Sequence, residues 1–568
     1  MSESSTSISE PSTRGIAARI GWVILIVATL FVCYFSHLGA VGFVGPDEPR
    51  YAWIARDMAE TGDWVTPKLY GKPWFEKPPL YYWGAAICFK IFGVSETSAR
   101  LPSAICALLA TLALGWLAWR LYGSETAHWL LLLLPTTVGM IGFSHAAATD
   151  MPFSGMLTIA MVFAAVVLRL TPAHAGSAIS APANPSTPWL ALVLFGFFLG
   201  LAVLAKGPAA IVLSGGAVFS WAVFTKRWRD AFRLLHPAAI AAFCLTALPW
   251  YILCARRNTD FFRIFIIEHN FKRFLTPEFQ HIQPFWFYGP VLLVAFLPWT
   301  VLLLCSAISS AKAHWRSRSI TECNWFFICW AGFCIAFFTI SRSKLPGYVL
   351  PAIPVIGVLL ARDLSRKLDQ SFSTLRWVCF GVGLTFVVMG VVAGLESDKT
   401  PFITDIRPAP TVTQFYSAMV VAGLLVGTLT VLRRVRAALA LASIALPIFL
   451  VLGTGDLWQL DEGVSARAMA ITAMSEFPEE LLQKATTYKL RRGLNFALDF
   501  YLQRELPEWQ PPGGQRAIIF TSPNGSEELT KRGIACRQYI VAPAVELCAD
   551  GIRETSLPGG RPSSGQPQ

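Results

Sequence analysis

Gly45-Pro-Asp47-Glu48-Pro-Arg50-Tyr51, then Arg56-Asp57-Met58-Ala59-Glu60-Thr61-Gly62-Asp63-Trp64, then Phe75-Glu76-Lys77-Pro78-Pro79-Leu80-Tyr81-Tyr82-Trp83, set carboxylates, cations and aromatic rings directly after an apolar run. Beyond Pro49, Tyr51, Ile54, Ala55 and Met58 recur at helical spacing with charges opposite. That pattern predicts an amphipathic helix lying at a membrane surface. The next apolar run, Leu80 to Gly93, has only fourteen residues and is interrupted by Lys90. A bilayer span needs about twenty. The run is therefore read as an interfacial helix, and this choice fixes the side of every later loop.

The rest of the chain supports a membrane setting. Its 568 residues are 54% hydrophobic and 14% charged, against about 25% charged in soluble domains. The composition excludes a disordered chain, a small secreted scaffold and a simple cytosolic enzyme. The net charge of +12 belongs to loops and lipid headgroups rather than to nucleic acid. Most of the twelve cysteines lie in apolar runs, where a thiol is a small hydrophobe.

Thirteen spans are expected, at 17–42, 97–119, 126–144, 151–168, 188–204, 208–224, 236–254, 285–308, 324–340, 348–361, 377–395, 415–432 and 437–454. Residues 1–16 read as a disordered cytoplasmic tail. Loops 225–235, 309–323, 362–376 and 433–436 hold fourteen Lys and Arg, while the short opposite loops 145–150, 205–207 and 341–347 hold three. The basic side is cytoplasmic by the positive-inside rule. The long loops 43–96 and 255–284 then face outward. So do Asp47, Glu76, Asp150, Lys206, His269, Lys344 and Tyr348, a polar constellation suited to a membrane-surface site.

An odd span number also puts residues 455–557 outside. Periodicity over 475–505 predicts a helix there, and Ala517–Thr521 and Gln538–Val541 read as strands. A small α/β domain follows, ending in a disordered tail, 558–568. Cys536 and Cys548 both fall in it, where an oxidising compartment would let them pair.

The paired motifs Asp47-Glu48-Pro-Arg50-Tyr51 and Phe75-Glu76-Lys77-Pro78-Pro79-Leu80 resemble the integral-membrane glycosyltransferases of the GT-C class. The closer resemblance is to the branch that includes the aminoarabinose (4-amino-4-deoxy-L-arabinose) transferase acting on lipid A. Protein O-mannosyltransferases are more distant. Ser98-Ala-Arg100-Leu-Pro102, Thr149-Asp150, Lys206-Gly-Pro208, Glu268-His269-Asn270 and Ser343-Lys344-Leu-Pro346-Gly-Tyr348 add to it. The likeness covers about the first 360 residues, the span count and the outer domain. It implies a polytopic α-helical membrane domain over 17–454, a polyprenyl (undecaprenyl) phosphate-linked sugar donor and an envelope acceptor. Lipid A is the leading acceptor, with another glycan or a protein hydroxyl as the alternative. The setting would be a bacterial inner membrane with the active side periplasmic.

Such a transfer must neutralise a leaving phosphate, align the acceptor and hold the sugar dry. The resemblance assigns Asp47 as base or acceptor-orienting group and Asp150 as a second acidic residue. It assigns Glu76 and His269 as ligands of a divalent metal, zinc or else magnesium or manganese, with no organic cofactor. Arg50, Lys77, Lys206 and Lys344 are candidates for the donor phosphate. Tyr51, Tyr81, Tyr82 and Tyr348 are candidates for the phosphate or sugar. Plainer readings stay open. Asp47 can be an exposed helix cap, Asp150 an N-cap before Pro152, His269 a surface histidine, and each tyrosine an interfacial anchor. A transporter or flippase of envelope glycolipids is the rival class. It would place charges at the bilayer midplane in repeated, broken helices, whereas here they collect at one face.

Overall fold

The computed structural model describes residues 13–171, 188–265, 282–317, 320–370, 372–397, 410–452, 461, 465–511, 517–538, 545–550 and 561–562. Every expected apolar stretch falls on helical structure. Seven described helices are long and apolar enough to cross a bilayer alone, and nine if two bent pairs each count as one. The expected straight spans at 126–144 and 285–308 are those pairs. Ser124–Leu133 and Val138–Ser144 meet at 62°, and Tyr288–Ala295 and Thr300–Lys312 at 120°. Pro135 and Pro298 sit at the breaks, and proline removes a helix hydrogen bond and clashes with the preceding turn.

Burial sorts the helices into centre and rim. Asp150–Val167 has 83% of its apolar window buried, whereas Pro237–Arg257 has 22%. Leu245, on the latter, is 78% exposed, an apolar surface that lipid satisfies. The central helix therefore holds Asp150, at its first position, on the most deeply buried of the described spans.

Within 43–96, the helix Asp47–Thr61 packs on the helix Leu80–Phe92, joined by the short antiparallel pair β1 (Lys68–Leu69) and β2 (Lys72–Pro73). Tyr51, Ile54, Ala55 and Met58 are all buried, as the periodicity predicts. They pack against Tyr81, Tyr82, Ala85, Ala86 and Phe89 rather than into lipid, so the membrane-surface reading of this helix is corrected. The loop is pinned to the bundle by Trp250 Nε1 donating to the Val65 carbonyl at 2.9 Å and Asn258 Nδ2 donating to Thr66 Oγ1 at 3.0 Å.

The C-terminal region builds a five-stranded sheet of β3 (Thr486–Tyr488), β4 (Ala517–Thr521), β5 (Ala535–Gln538), β6 (Glu546–Asp550) and β7 (Arg561–Pro562), in the order β3-β4-β6-β5-β7. Only β3 and β4 run parallel. The continuous helix expected over 475–505 is replaced by Arg467–Glu476, Glu479–Leu482, β3 and Arg492–Leu502. Thr486, Thr487 and Tyr488 favour a pleated, buried strand, which the leucine spacing on either side hides. The strand Ala517–Thr521 stands as expected. The one expected at 538–541 is Ala535–Gln538, with 539–541 outside the described residues. Arg561 and Pro562, expected in a disordered tail, pair with the free edge of β5. Cys536 and Cys548 face each other across β5 and β6 and form a disulfide.

Candidate active site

Two side-chain clusters form where the first loop meets the bundle. In the first, Asp47 opens its helix and is 52% exposed, and its carboxylate pairs with Arg50 one turn on. Arg50 itself is 5% exposed and reaches Glu76 at 3.1 Å, whose other oxygen lies 3.8 Å from Lys77 Nζ. Three rings surround the guanidinium: Trp74 at 5.3 Å, and Tyr51 and Phe496 each at 5.5 Å from its carbon. Burial disfavours the charge on Arg50, but Glu76, Tyr51 and Asp47 outweigh it and its pKa is raised. Burial, with Glu76 and Asp47, also pushes the Tyr51 and Tyr82 phenols well up, so both remain proton donors. The Tyr82 hydroxyl is buried without a hydrogen-bond partner among the described residues, as is Arg50 Nε. Buried polar atoms of this kind among charged side chains are ones a ligand would satisfy.

The second cluster joins three separate segments. Lys206, at the end of Trp189–Lys206, pairs with Asp150. Its ammonium lies 4.8 Å from the Tyr348 ring centre and 5.7 Å from that of Phe153. Gly347 is needed beside it, because a Cβ there would lie 2.6 Å from Asp150 Oδ1. Asp150 thus acts at a helix N-terminus, where a carboxylate is favoured, and also holds the lysine.

Glu48 ties the two clusters together. It is 8% exposed and takes Arg100 Nε and Nη2 at 3.0 and 2.8 Å, the Val44 N–H at 2.8 Å and the Ala147 N–H at 2.7 Å. Arg100 spends its remaining donors on the carbonyls of Leu38, Val41 and Gly42. Asp47 and the segment leading to Asp150 are therefore fixed by one buried ion pair.

The structure brings Asp47, Arg50, Tyr51, Glu76, Lys77 and Tyr82 together, and separately Asp150, Lys206 and Tyr348. Tyr81 donates its hydroxyl to the Ala99 carbonyl at 2.9 Å. Lys344 is buried and donates to the Ser341 carbonyl at 2.7 Å. His269 lies outside the described residues. Among those described, no group of three His, Cys, Asp or Glu could hold a metal ion. Glu76 faces two cations, so the residues described around it do not by themselves make a metal site. The sequence reading missed Trp74 and Phe496. Aromatic residues are too common in an apolar chain to stand out without a partner.

The chain is similar to several known proteins. Residues 20–265 match the family described as dolichyl-phosphate-mannose-protein mannosyltransferase. The undecaprenyl phosphate-alpha-4-amino-4-deoxy-L-arabinose arabinosyl transferase of Pseudomonas aeruginosa (strain UCBPP-PA14) is 30% identical over 387 residues, 68% of this chain and 67% of its own length. The counterpart in Edwardsiella ictaluri (strain 93-146) is 30% identical over 358 residues, 63% of this chain. That match spans 61% of the relative's length. ArnT from Cupriavidus metallidurans bound to undecaprenyl phosphate superposes with a TM-score of 0.73, covering 95% of this chain and 99% of that one at 24% identity. Its apo state gives 0.71 over 94% and 98%. The chain shares that fold.

Proposed function

The chain belongs to the undecaprenyl phosphate-alpha-4-amino-4-deoxy-L-arabinose arabinosyl transferase family, and from that membership we propose that it moves a sugar from a polyprenyl phosphate donor to an envelope acceptor, with lipid A phosphate first. In the reaction an acceptor oxygen attacks the anomeric carbon. The bond from that carbon to the phosphate oxygen breaks, and its electron pair leaves with polyprenyl phosphate. Arg50 and Lys77 of the first cluster and Lys206 of the second neutralise the departing phosphate, the Tyr82 hydroxyl donates to one of its oxygens, and Lys344, held by the Ser341 carbonyl, adds positive charge from further off. Tyr51 and Tyr348 wall the sugar, and Tyr81, its hydroxyl held by the Ala99 carbonyl, packs behind Tyr51. An acceptor phosphate is already anionic, so Asp47 aligns it. A hydroxyl acceptor would give Asp47 its proton. Asp150 holds Lys206 in place.

The observation that carries this reading is the first cluster. A half-exposed Asp47 sits beside a buried, caged Arg50, with a tyrosine hydroxyl in the same aromatic shell that has no partner among the described residues. A transporter reading has no such one-sided use for them. Mass spectrometry of lipid A and other envelope glycolipids tests it, from cells lacking the gene and rescued with wild type or Asp47→Ala. Loss of a pentose-type substituent, restored by wild type and reduced about a hundredfold or more in the variant, is expected. Full rescue by Asp47→Ala would remove the role given to that residue. Lipid A unchanged on loss of the gene would move the acceptor to another glycan or a protein.

The finer architecture belongs to the same proposal. It comprises thirteen spans within 17–454, a periplasmic domain over 455–557 and a bacterial inner membrane. A divalent metal held by Glu76 and His269 would lend positive charge beside the donor phosphate, and no step above depends on it. Metal analysis of purified protein should find bound metal in the wild type and less in Glu76→Ala. Metal-free wild type that still transfers would end that assignment.

A further inference from the structure

The helix Arg492–Leu502 presents two apolar faces to two different bodies. Leu494, Ala497 and Leu498 enter the core of the C-terminal domain. Phe496, Phe500 and Tyr501 enter the cluster built by the first loop. The second face is tightly seated. A Cβ on Gly493 would lie 2.8 Å from the Gly45 carbonyl carbon, so backbone meets backbone two residues before Asp47. Phe43 packs edge-on to Phe500 at 4.9 Å, and its N–H donates to Tyr501 Oη at 3.0 Å. Tyr70 donates to Asp499 Oδ2 at 2.5 Å, and Arg56 Nη2 donates to Gln503 Oε1 at 2.9 Å.

This docking carries Phe496 to the Arg50 guanidinium from 446 positions further along the chain. Trp74 and Tyr51, the other two rings, come from the first loop itself. We infer that Phe496 is a positioning residue for Arg50, and that the transfer site is complete only with the C-terminal domain docked. The physical reason lies in what Arg50 must do. Its 5% exposure removes water from a permanent cation, and Asp47 and Glu76 engage only its terminal nitrogens. An aromatic face supplies negative quadrupole to such a desolvated cation and limits its rotation. Each ring therefore keeps the guanidinium charged and aimed before a phosphate arrives.

The inference rests on the reading that Arg50 meets the donor phosphate, and the test separates the two. The full chain in nanodiscs is titrated with undecaprenyl phosphate and assayed for transfer, as wild type, Phe496→Leu, Phe496→Trp, Arg50→Lys and the Phe496→Leu/Arg50→Lys double variant. Leucine keeps apolar bulk and removes the π face, whereas tryptophan keeps the face. Phe496→Leu should weaken undecaprenyl phosphate binding and lower kcat/KM by about tenfold, and Phe496→Trp should stay within about threefold of wild type. In the Arg50→Lys background the leucine change should add less than about twofold, because coupled residues do not act additively.

Binding by Phe496→Leu within about twofold of wild type, or a full additive loss in the double variant, would overturn the inference alone. Wild-type binding and transfer in Arg50→Lys would overturn the phosphate reading of Arg50, and the inference with it. If Phe496→Leu does not fold, Phe496→Tyr with the same Arg50→Lys cycle decides. The tyrosine variant should match wild type, and a tenfold loss in it would count against a π-face role.

Discussion

Asp499 lies on the docking face of the Arg492–Leu502 helix, 1% exposed, with two donors on its oxygens: Tyr70 at 2.5 Å and the Leu506 N–H at 2.9 Å. Burial pushes its carboxyl up to about 6 from an ordinary 3.8, against the lowering pull of those donors. Between those two values the folded chain holds more proton than the unfolded one. Stability therefore falls as pH rises through that window and levels off above it. The loss is on the order of 2–3 kcal/mol. Asp499→Asn removes the titration and keeps the contacts, since its oxygen can accept from Leu506 and its amide can donate to Tyr70. Thermal unfolding in detergent should show a flatter pH dependence for the variant between pH ~4 and ~7, with a Tm at pH ~7.5 equal to or above wild type. A wild-type slope in the variant would place the titration elsewhere. Nothing in the sequence marks this carboxylate. An Asp among Leu, Ala and Phe on an amphipathic helix reads as the polar face until the partner covering that face is known.

At the scale of elements, periodicity was legible and facing was not. Tyr51, Ile54, Ala55 and Met58 place the Asp47–Thr61 helix correctly, because an apolar stripe at 3.6-residue spacing has one structural solution. The same stripe is satisfied equally by lipid or by protein, so its partner, the Leu80–Phe92 helix, was not readable. Asp47 and Glu48 look interchangeable in the motif, yet successive helical residues point about 100° apart. One becomes a half-exposed carboxylate at the site. The other becomes a buried one that holds Arg100 and the approach to Asp150. The candidates Asp47, Arg50, Glu76, Lys77, Asp150 and Lys206 were legible through the motifs that carry the family resemblance, and because a charge in so apolar a chain calls for a partner. Trp74 and Phe496 were not, because rings there need none. The helix breaks at Pro135 and Pro298 were visible as prolines, but their angles depend on packing that the sequence does not express.

Across the whole molecule, hydrogen bonds and ion pairs among the described residues sort segment ends into two sets, the arrangement that the proposed thirteen-span topology calls for. One set is bound by Arg227 to Glu322, Arg436 to Glu125, and Ser306 to Asp363. The other is bound by Ala147 to Glu48, Lys206 to Asp150, Ile282 to Ser343, and the Gly42 N–H to Asp461. Each bent pair runs from one set to the other. The first starts at Glu125 and ends before Ala147, and the second starts after Ile282 and passes Ser306. Within the proposed topology the 120° bend does not turn the second pair back to its starting face. Arg227, Glu322, Asp363 and Arg436 of the first set lie in or beside loops rich in Lys and Arg, which the positive-inside rule would place in the cytoplasm. The Cys536–Cys548 disulfide follows the second set along the chain, on the side proposed to face an oxidising compartment. Single cysteines at the exposed positions Lys226 and Lys489 test the arrangement with a membrane-impermeant maleimide, because the ten free native cysteines are buried or half-buried. Lys489→Cys should label in cells whose inner membrane is intact, and Lys226→Cys only after that membrane is opened. The reverse pattern would invert the molecule and take the site out of the periplasm. Labelling of both in intact cells would make the span number even, and the bent pair at Pro298 would be the first segment to reassign.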